Sequence, residues 1–233
     1  MKIGIYSIPE LSVGKQNIKD SRLDQVDAIT KSKKKTYIQV ELAGEDVLLD
    51  ADAILAPKEA RTDLVLKDLE FVETRLGRAE EDQEKALLNK LKAALEKEEF
   101  IFSLNFSDEE KKIMLVYGLV TNKPIILAER NELEDMSALL TRAFRESGYI
   151  SFFTTGEKET RAWGIKKGAT AWEAAGVIHS DIQRGFIRAE IINFNDFISA
   201  GGETQAKQAG KLRLEQKDYV MQDTDLANFR FNK

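Results

Sequence analysis

The stretch Ile150-Ser151-Phe152-Phe153-Thr154-Thr155-Gly156 and the sequence after it decide the fold of this chain. Apolar residues dominate positions 150–154 and 160–165, and a polar turn separates the two segments, which predicts a β-hairpin. A helix is predicted over 170–178, because Thr170 and Glu173 have the spacing of a capping box. Further strands are predicted over 186–192, 212–214 and 226–231, with short helices over 195–200 and 204–209. This order of elements favours a β-grasp.

Several short motifs follow the first hairpin and continue to the C-terminus. They are Arg161-Ala162-Trp163-Gly164-Ile165, Gly168-Ala169-Thr170, the segment HSDIQRGFIRAE at 179–190, Gly201-Gly202-Glu203, Lys217-Asp218-Tyr219 and Phe229-Arg230-Phe231. In this order they resemble the C-terminal TGS domain of the YchF (Obg-like ATPase) family of P-loop NTPases. The resemblance implies a ubiquitin-like β-grasp domain preceded by a nucleotide-binding α/β domain. It also implies association with ribosomes, tRNA or other RNA, or with a regulatory protein.

The chain is therefore predicted to be an α/β (α+β) protein with two domains. Residues 1–147 are predicted to form a reduced, degenerate NTPase-like domain with a helical hairpin insert at about 62–99. Residues 148–233 are predicted to form the TGS-like β-grasp domain.

Composition excludes several classes of function. The chain has no cysteine, which excludes disulfide scaffolds, cysteine-ligated metal sites and thiol catalysis, and which suits a reducing cytoplasm. No run approaches the roughly 18 consecutive apolar residues of a membrane span, and the start, Met1-Lys2-Ile3-Gly4, lacks the layout of a signal peptide. A net charge of −5, from 35 basic and 40 acidic residues, gives no general attraction to phosphate backbones. We expect a cytoplasmic protein with no membrane partner.

The beginning of the chain resembles an altered P-loop. Residues 2–6 predict a short buried strand, and the loop after it contains the pair Gly14-Lys15. A working P-loop follows G-x-x-x-x-G-K-[ST], because backbone N–H groups surround the phosphates, the lysine reaches the outer phosphates and the hydroxyl holds Mg²⁺. Here Ser7 replaces the first glycine, the loop is two residues too long, and Gln16 replaces the hydroxyl residue. Two interpretations stay open: a divergent phosphate site, or a surface loop with a vestigial glycine–lysine pair.

Other parts of a nucleotide site are also altered. A strand is predicted over 36–42, and the sequence ELAG at 41–44 matches the family's Asp-x-Ala-Gly element. Glu41 then replaces the acid that helps to hold Mg²⁺, so Glu41 and Gly44 join Gly14 and Lys15 as candidate vestigial cofactor-binding residues. The family's base-recognition asparagine aligns with Arg130.

A helical hairpin is predicted in the middle of the chain. Its apolar positions recur at steps of three and four, which predicts a seam between two helices. They are Val65, Leu69, Val72, Leu76 and Ala79, and then Leu88, Leu91 and Leu95. The polar segment Glu80-Glu81-Asp82-Gln83 offers a turn, although a single long helix is the alternative because no proline forces the turn. The acidic exterior is either a surface for docking a protein or a solvated helical pair.

Basic and aromatic residues of the C-terminal part are candidate contacts with RNA or a partner. The basic candidates are Lys166, Lys167, Arg184, Arg188, Lys207, Lys211 and Arg213. Either several of them share a face and bind phosphates, or each pairs locally with an acidic residue. Most aromatic residues here are assigned to the core, with a minority left as stacking platforms for bases. His179 is interpreted as a helix end that benefits from the C-terminal dipole, because Ser180 and Asp181 are too close in sequence to form a catalytic triad.

These observations predict a non-catalytic binding module that acts through its TGS-like domain on RNA, the ribosome or a protein partner. No catalytic residue, no metal ligand and no cofactor is assigned. The alternative is a divergent hydrolase that binds ATP or GTP with Mg²⁺ through a shortened site of Lys15, Glu41 and Glu132.

Overall fold

A computed structural model of the chain describes residues 1–232. Its strands are β1 (Lys2–Ile5), β2 (Gly14–Ile18), β3 (Lys35–Thr36), β4 (Ile38–Ala43), β5 (Ala53–Pro57), β6 (Ile125–Ala128), β7 (Tyr149–Thr154), β8 (Thr160–Lys166), β9 (Phe186–Ile192), β10 (Arg213–Glu215) and β11 (Leu226–Phe231). Its α-helices are α1 (Ser21–Thr30), α2 (Arg61–Leu76), α3 (Asp82–Leu95), α4 (Asp108–Met114), α5 (Met136–Glu146), α6 (Ala171–Ile178), α7 (Ser180–Arg184), α8 (Phe194–Ala200) and α9 (Glu203–Gln208). The predicted α/β class is confirmed.

The chain divides into two compact units. The first comprises residues 1–16 and 40–139, and the second comprises residues 17–39 together with the chain from residue 140 onward.

The first unit is built on a five-stranded sheet in the order β2-β4-β1-β5-β6. β1 runs parallel to both β4 and β5, and β5 runs parallel to β6. Parallel strands are covered on both faces and therefore need continuous apolar sequence. β5 meets this requirement, because Ile54, Leu55 and Ala56 are all completely buried.

The middle of the first unit is a helical hairpin, so the single long helix is wrong. α2 ends at Leu76, and α3 begins only at Asp82. The predicted seam is confirmed, since one cluster contains the buried Val65, Val72, Leu88, Leu91 and Leu95 with the partly buried Leu69, Leu76 and Ala79. The chain turns here without proline because burial of both apolar stripes against each other stabilises the pair.

The second unit contains a six-stranded sheet in the order β10-β9-β11-β7-β8-β3. If β7 to β11 are numbered one to five, their order in the sheet is 4-3-5-1-2. The first and fifth of these strands, β7 and β11, are parallel neighbours. This is the strand order of a β-grasp. α6 packs on one face of the sheet, where Phe152, Ala175 and Ile191 are buried in one cluster.

Residues 17–39 lie in the second unit, whereas the predicted division groups them with residues 1–147. β3 pairs in parallel with β8, the hydroxyls of Thr30 and Thr160 are 2.7 Å apart, and the Ser32 hydroxyl donates to the Gly156 carbonyl at 2.6 Å. These contacts join residues that are far apart in the sequence, so the local sequence pattern did not indicate them. The assignment of 148–233 as a TGS domain stays a prediction.

Candidate nucleotide and partner sites

A hollow of about 430 Å³ lies at the carboxyl ends of β1 and β4. Open parallel sheets bind ligands outside the carboxyl ends of their strands, where the strand order reverses. β1 lies between β4 and β5 in the sheet, so the order reverses beside it. The hollow therefore occupies the position at which this kind of sheet would hold a ligand.

The lining of this hollow is apolar and acidic. Ile8, Pro9 and Val13 contribute apolar surface, and no lysine or arginine is among its lining residues. Ser7 has a left-handed backbone with φ of 54°, and its N–H donates to Glu45 Oε1 at 2.9 Å. A carboxylate thus accepts from a backbone donor at the end of β1 and repels any phosphate that approaches.

The predicted nucleotide-site residues do not form a P-loop arrangement in the first unit. Gly14 and Lys15 lie in β2, where Lys15 is exposed, and no helix begins beside this lysine. A P-loop needs the helix N-terminus, because its N–H groups and its dipole bind the phosphates. Glu41 is exposed on β4, and Gly44 lines the hollow.

Glu132 is engaged in backbone structure. Its Oε2 accepts from the N–H of Glu129 at 2.8 Å, within a capping box that opens the short 3-10 helix Arg130–Glu134. Among residues 1–232, no group of three or more acidic or histidine side chains is placed to hold a metal ion. None of the helices in this part of the chain combines the length and apolar character that crossing a bilayer requires.

The seven basic candidates of the second unit are all exposed but are spread over several places. Lys166 and Lys167 lie at the end of β8, and Lys207 and Lys211 lie at the end of α9. Arg188 is on β9, and Arg213 is on the neighbouring β10 opposite Ile191. Because side chains alternate along strands, Arg188 and Arg213 point to opposite faces of the sheet.

Some of these cations are neutralised locally. Arg184 pairs with Asp181, Lys211 pairs with Asp196 at 3.2 Å, and Arg213 lies 3.6 Å from Glu215. Within the described residues, the side chains of Lys167, Arg188 and Lys207 have no hydrogen bond or ion pair, and Lys166 Nζ lies 4.0 Å from the centre of the Tyr149 ring. Local pairing therefore accounts for part of the set and leaves three cations available for phosphates.

Arg213 also belongs to a polar cluster at the base of β11, in which only Asp225 is fully buried. Arg213 donates to the Tyr219 hydroxyl at 2.9 Å, and that hydroxyl donates to Asp225 Oδ2 at 2.8 Å. Burial raises the pKa of the Asp225 carboxyl. Burial, together with the hydrogen bond to Asp225, raises the pKa of Tyr219 to about 12. Tyr219 and Asp225 Oδ2 are engaged within the cluster, whereas the buried Asp225 Oδ1 has no hydrogen-bond partner among the described residues and lies 3.7 Å from Arg213.

His179 joins two helices. It ends α6 and begins α7, where its Nδ1 accepts from the Asp181 N–H at 3.1 Å. His179 is thus both the C-cap of α6 and the N-cap of α7. The predicted helix end is confirmed, and the interpretation through the C-terminal dipole stays a prediction.

The aromatic residues divide as expected between core and surface. Phe152, Phe153 and Phe229 are buried, and Trp163 is partly buried, with its indole N–H donating to Thr154 Oγ1 at 2.9 Å. Trp172 is 44% exposed. Sequence reasoning left Trp172 among the aromatic residues that could stack on bases, and it did not single out Lys217 or Glu45. A surface tryptophan has no periodic signal of its own, and Glu45 gains its role only through the fold.

The fold and these surfaces define an α/β protein that carries a β-grasp unit. Residues 149–232 match the family model YchF-GTPase_C, described as "Protein of unknown function (DUF933)". The "Ribosome-binding ATPase YchF" of Bacillus subtilis is 33% identical over 235 residues, which cover 73% of this chain and 64% of that protein. The protein of the same name from Escherichia coli O157:H7 is 57% identical over 82 residues, or 35% of this chain and 23% of that protein.

A solved structure shares the fold. The structure of the Schizosaccharomyces pombe YchF GTPase superposes on this chain with a TM-score of 0.79 at 20% sequence identity. The superposition covers 99% of this chain and 97% of the Schizosaccharomyces pombe chain. The chain spans less than two thirds of the length of the curated relatives named above. The chain is thus similar in sequence to proteins named YchF, and its C-terminal part matches the family model.

Proposed function

We propose that this chain is a YchF-like binding module without NTPase activity, which associates with the ribosome, its RNA or a partner protein through residues 148–233. The relatives reported above carry the name "Ribosome-binding ATPase YchF", which supports the ribosome as the target. Because ribosomes are cytoplasmic, the proposal also includes a cytoplasmic location for the chain. The β-grasp strand order supports the assignment of 148–233 as a TGS domain.

The observation that carries the non-catalytic part of the proposal is the chemistry of the hollow at the end of β1. Glu45 accepts from the Ser7 N–H there, and Lys15 lies in a strand instead of at a helix N-terminus. Both features oppose the binding of a triphosphate, since its charge needs cations and free N–H donors. In this proposal the nucleotide site is degenerate, and internal segments of the NTPase domain have been reduced.

Co-sedimentation with purified ribosomes tests the binding part. We expect the wild-type chain to pellet with ribosomes and to be released as salt increases, because contacts to phosphates weaken in salt. The pair Lys167→Glu and Lys207→Glu reverses two unpaired cations and should weaken pelleting. Glu80→Gln with Glu81→Gln, on the turn of the helical hairpin, is the matched control. Loss of pelleting only in this control would instead assign docking to the acidic hairpin.

The alternative is a divergent ATP or GTP hydrolase with a weakened site of Lys15, Glu41 and Glu132. The position of the hollow at the carboxyl ends of β1 and β4 is the observation that favours it. It predicts a turnover that requires Mg²⁺ and decreases in Glu41→Gln. Absence of turnover in the wild-type chain removes this alternative.

A further inference from the structure

Trp172 is exposed in a way that the other tryptophan is not. It lies in the first turn of α6 with 44% of its surface accessible, and Val220, which forms a β-bridge with Thr170, is also exposed. Trp163, by contrast, lies under the guanidinium of Arg161, which is 3.9 Å from the ring centre. A large aromatic side chain left in water is unusual and is typical of a binding surface.

The backbone around Trp172 is fixed from both sides. Its N–H donates to the Lys217 carbonyl at 3.1 Å, and its own carbonyl accepts from Gln183 Nε2 at 3.2 Å. The adjacent Ala171 N–H donates to the Tyr219 carbonyl at 2.8 Å. The backbone that carries the indole is therefore held in place before any ligand arrives, which reduces the entropy cost of binding.

Two unpaired cations belong to the segments that border this tryptophan. Lys217 is in the segment whose carbonyl accepts from the Trp172 N–H. Lys167 is in the turn that also contains Ala169, and the Ala169 carbonyl accepts from the N–H of Met221, in the same segment as Lys217, at 2.9 Å. Both lysines are exposed and have no ion-pair partner within residues 1–232.

The nearest acid on the helix is already occupied. The Glu173 carboxylate accepts from the Thr170 N–H at 2.7 Å and from the Thr170 hydroxyl at 2.8 Å. The Glu173 carboxylate is therefore held at the N-terminus of α6 by Thr170. An apolar ring bordered by free lysines is complementary to a ligand with flat bases and a negative backbone.

We propose that Trp172 is a stacking platform for an unpaired base of single-stranded RNA, and that Lys167 and Lys217 neutralise neighbouring phosphates. This inference rests on the proposed function and specifies its site. Stacking of a base on an aromatic ring tolerates any sequence, because every base has a π-face. The site would therefore recognise exposed single strands and discriminate against duplex RNA, whose bases are already stacked.

Fluorescence anisotropy with a labelled single-stranded RNA of about 12 nucleotides tests the site. Trp172→Ala should weaken binding by about 5- to 150-fold, the range that corresponds to loss of one base stack. Trp172→Phe should retain part of the affinity because it keeps a ring. Ile187→Ala is the matched control, since Ile187 is 47% exposed and lies on β9. Circular dichroism of each variant checks that the fold is retained.

A second readout tests the lysines and the stacking itself. The variant Lys167→Ala with Lys217→Ala should flatten the dependence of the logarithm of affinity on the logarithm of salt by about 1.4, from roughly 0.7 for each phosphate contact. RNA should also quench tryptophan fluorescence in the wild-type chain, and this quenching should be lost in Trp172→Phe.

Pelleting of the same variants with ribosomes distinguishes failure of the stacking platform from failure of the proposed function. Unchanged RNA affinity in Trp172→Ala overturns the stacking platform and leaves the proposed function in place if ribosomes still pellet the chain. A second result would also overturn the stacking platform: the wild-type chain binds no RNA, and Trp172→Ala no longer pellets with ribosomes. Trp172 would then contact a protein. Failure of the wild-type chain to pellet with ribosomes contradicts the proposed function itself.

Discussion

Asp68 connects helix α2 to the 3-10 turn Val120–Asn122, and its removal gives the sharpest test of the packing of the first unit. The side chain is buried. Its Oδ1 accepts from the Val120 N–H at 3.0 Å, and its Oδ2 accepts from the Thr121 N–H at 2.7 Å and from the Thr121 hydroxyl at 2.6 Å. Asp68→Ala leaves these donors without an acceptor.

The expected loss of stability follows from those donors. A buried donor left without a partner costs about 1–3 kcal/mol. Two of the donors are on the fully buried Thr121, so we expect Asp68→Ala to reduce the free energy of unfolding by roughly 2–5 kcal/mol. Thr121→Val removes only the hydroxyl donor and should cost about 1 kcal/mol.

Urea unfolding followed by far-ultraviolet circular dichroism is the assay. Both tryptophans lie in the second unit, so tryptophan fluorescence would not report on α2. The matched control is Glu70→Ala on the same helix, where the side chain is exposed, and it should change stability by no more than about 0.5 kcal/mol. An Asp68→Ala protein as stable as the Glu70→Ala control would refute this account.

The same carboxyl gives a pH dependence with a defined sign. Burial raises the pKa of Asp68 above its ordinary value of 3.8, although its hydrogen bonds to Thr121 and Val120 act in the opposite direction. The folded state therefore holds the proton more strongly than the unfolded state. This contribution to stability is complete below pH 3.8 and is lost as the pH rises through the raised pKa. Asp68→Asn should remove it, as seen by comparing unfolding curves across the acid range.

Three further predictions concern single positions. Leu91→Ala empties a fully buried site between the hairpin helices and should cost about 2–5 kcal/mol in urea unfolding, whereas Leu115→Ala, at a site that is 82% exposed, should cost less than about 0.5 kcal/mol. Gly185→Ala should destabilise the second unit by roughly 1–3 kcal/mol in thermal unfolding, because the added Cβ would lie 2.0 Å from the Asn232 carbonyl oxygen; an unchanged melting temperature would contradict this contact. The Tyr219 pKa of about 12 exceeds its ordinary value of 10, so the stability from this shift is present below pH 10 and is lost as the pH rises towards 12. Tyr219→Phe should therefore lose stability less steeply over that alkaline range, as measured by urea unfolding.

Local signals in the sequence predicted local structure correctly. The predicted capping box of Thr170 and Glu173 opens α6, and a second box of the same spacing, Ser107 and Glu110, opens α4. In each case the partners are three residues apart, so the sequence contains the whole interaction. The helical seam through Leu91 succeeded for the same reason, because its period is visible within one segment.

Elements that depend on distant contacts were not predicted. β2 is the polar segment GKQNI, and α1 has only Leu23 and Val26 fully buried, so neither shows a strong hydrophobic period. β3 is only two residues long and is held by its pairing with β8. Such segments take their structure from partners far away in sequence.

The candidate sites show the same division. The types and spacing of Gly14 and Lys15 left open a divergent phosphate site or a surface loop with a vestigial pair, and the strand that contains them depends on the whole sheet. The hydrogen bond from Ser7 to Glu45 joins positions 38 residues apart. The exposure of Trp172 likewise follows from how α6 is placed on the β-grasp sheet, and no spacing rule indicates it.

The most direct test of the central claim is a calorimetric titration of the wild-type chain with ATP and with GTP in the presence of Mg²⁺. The account predicts no binding heat at micromolar nucleotide, and no difference between the wild-type chain and Lys15→Ala. Micromolar binding that Lys15→Ala abolishes would contradict it, because a lysine in strand β2 would then be holding phosphates.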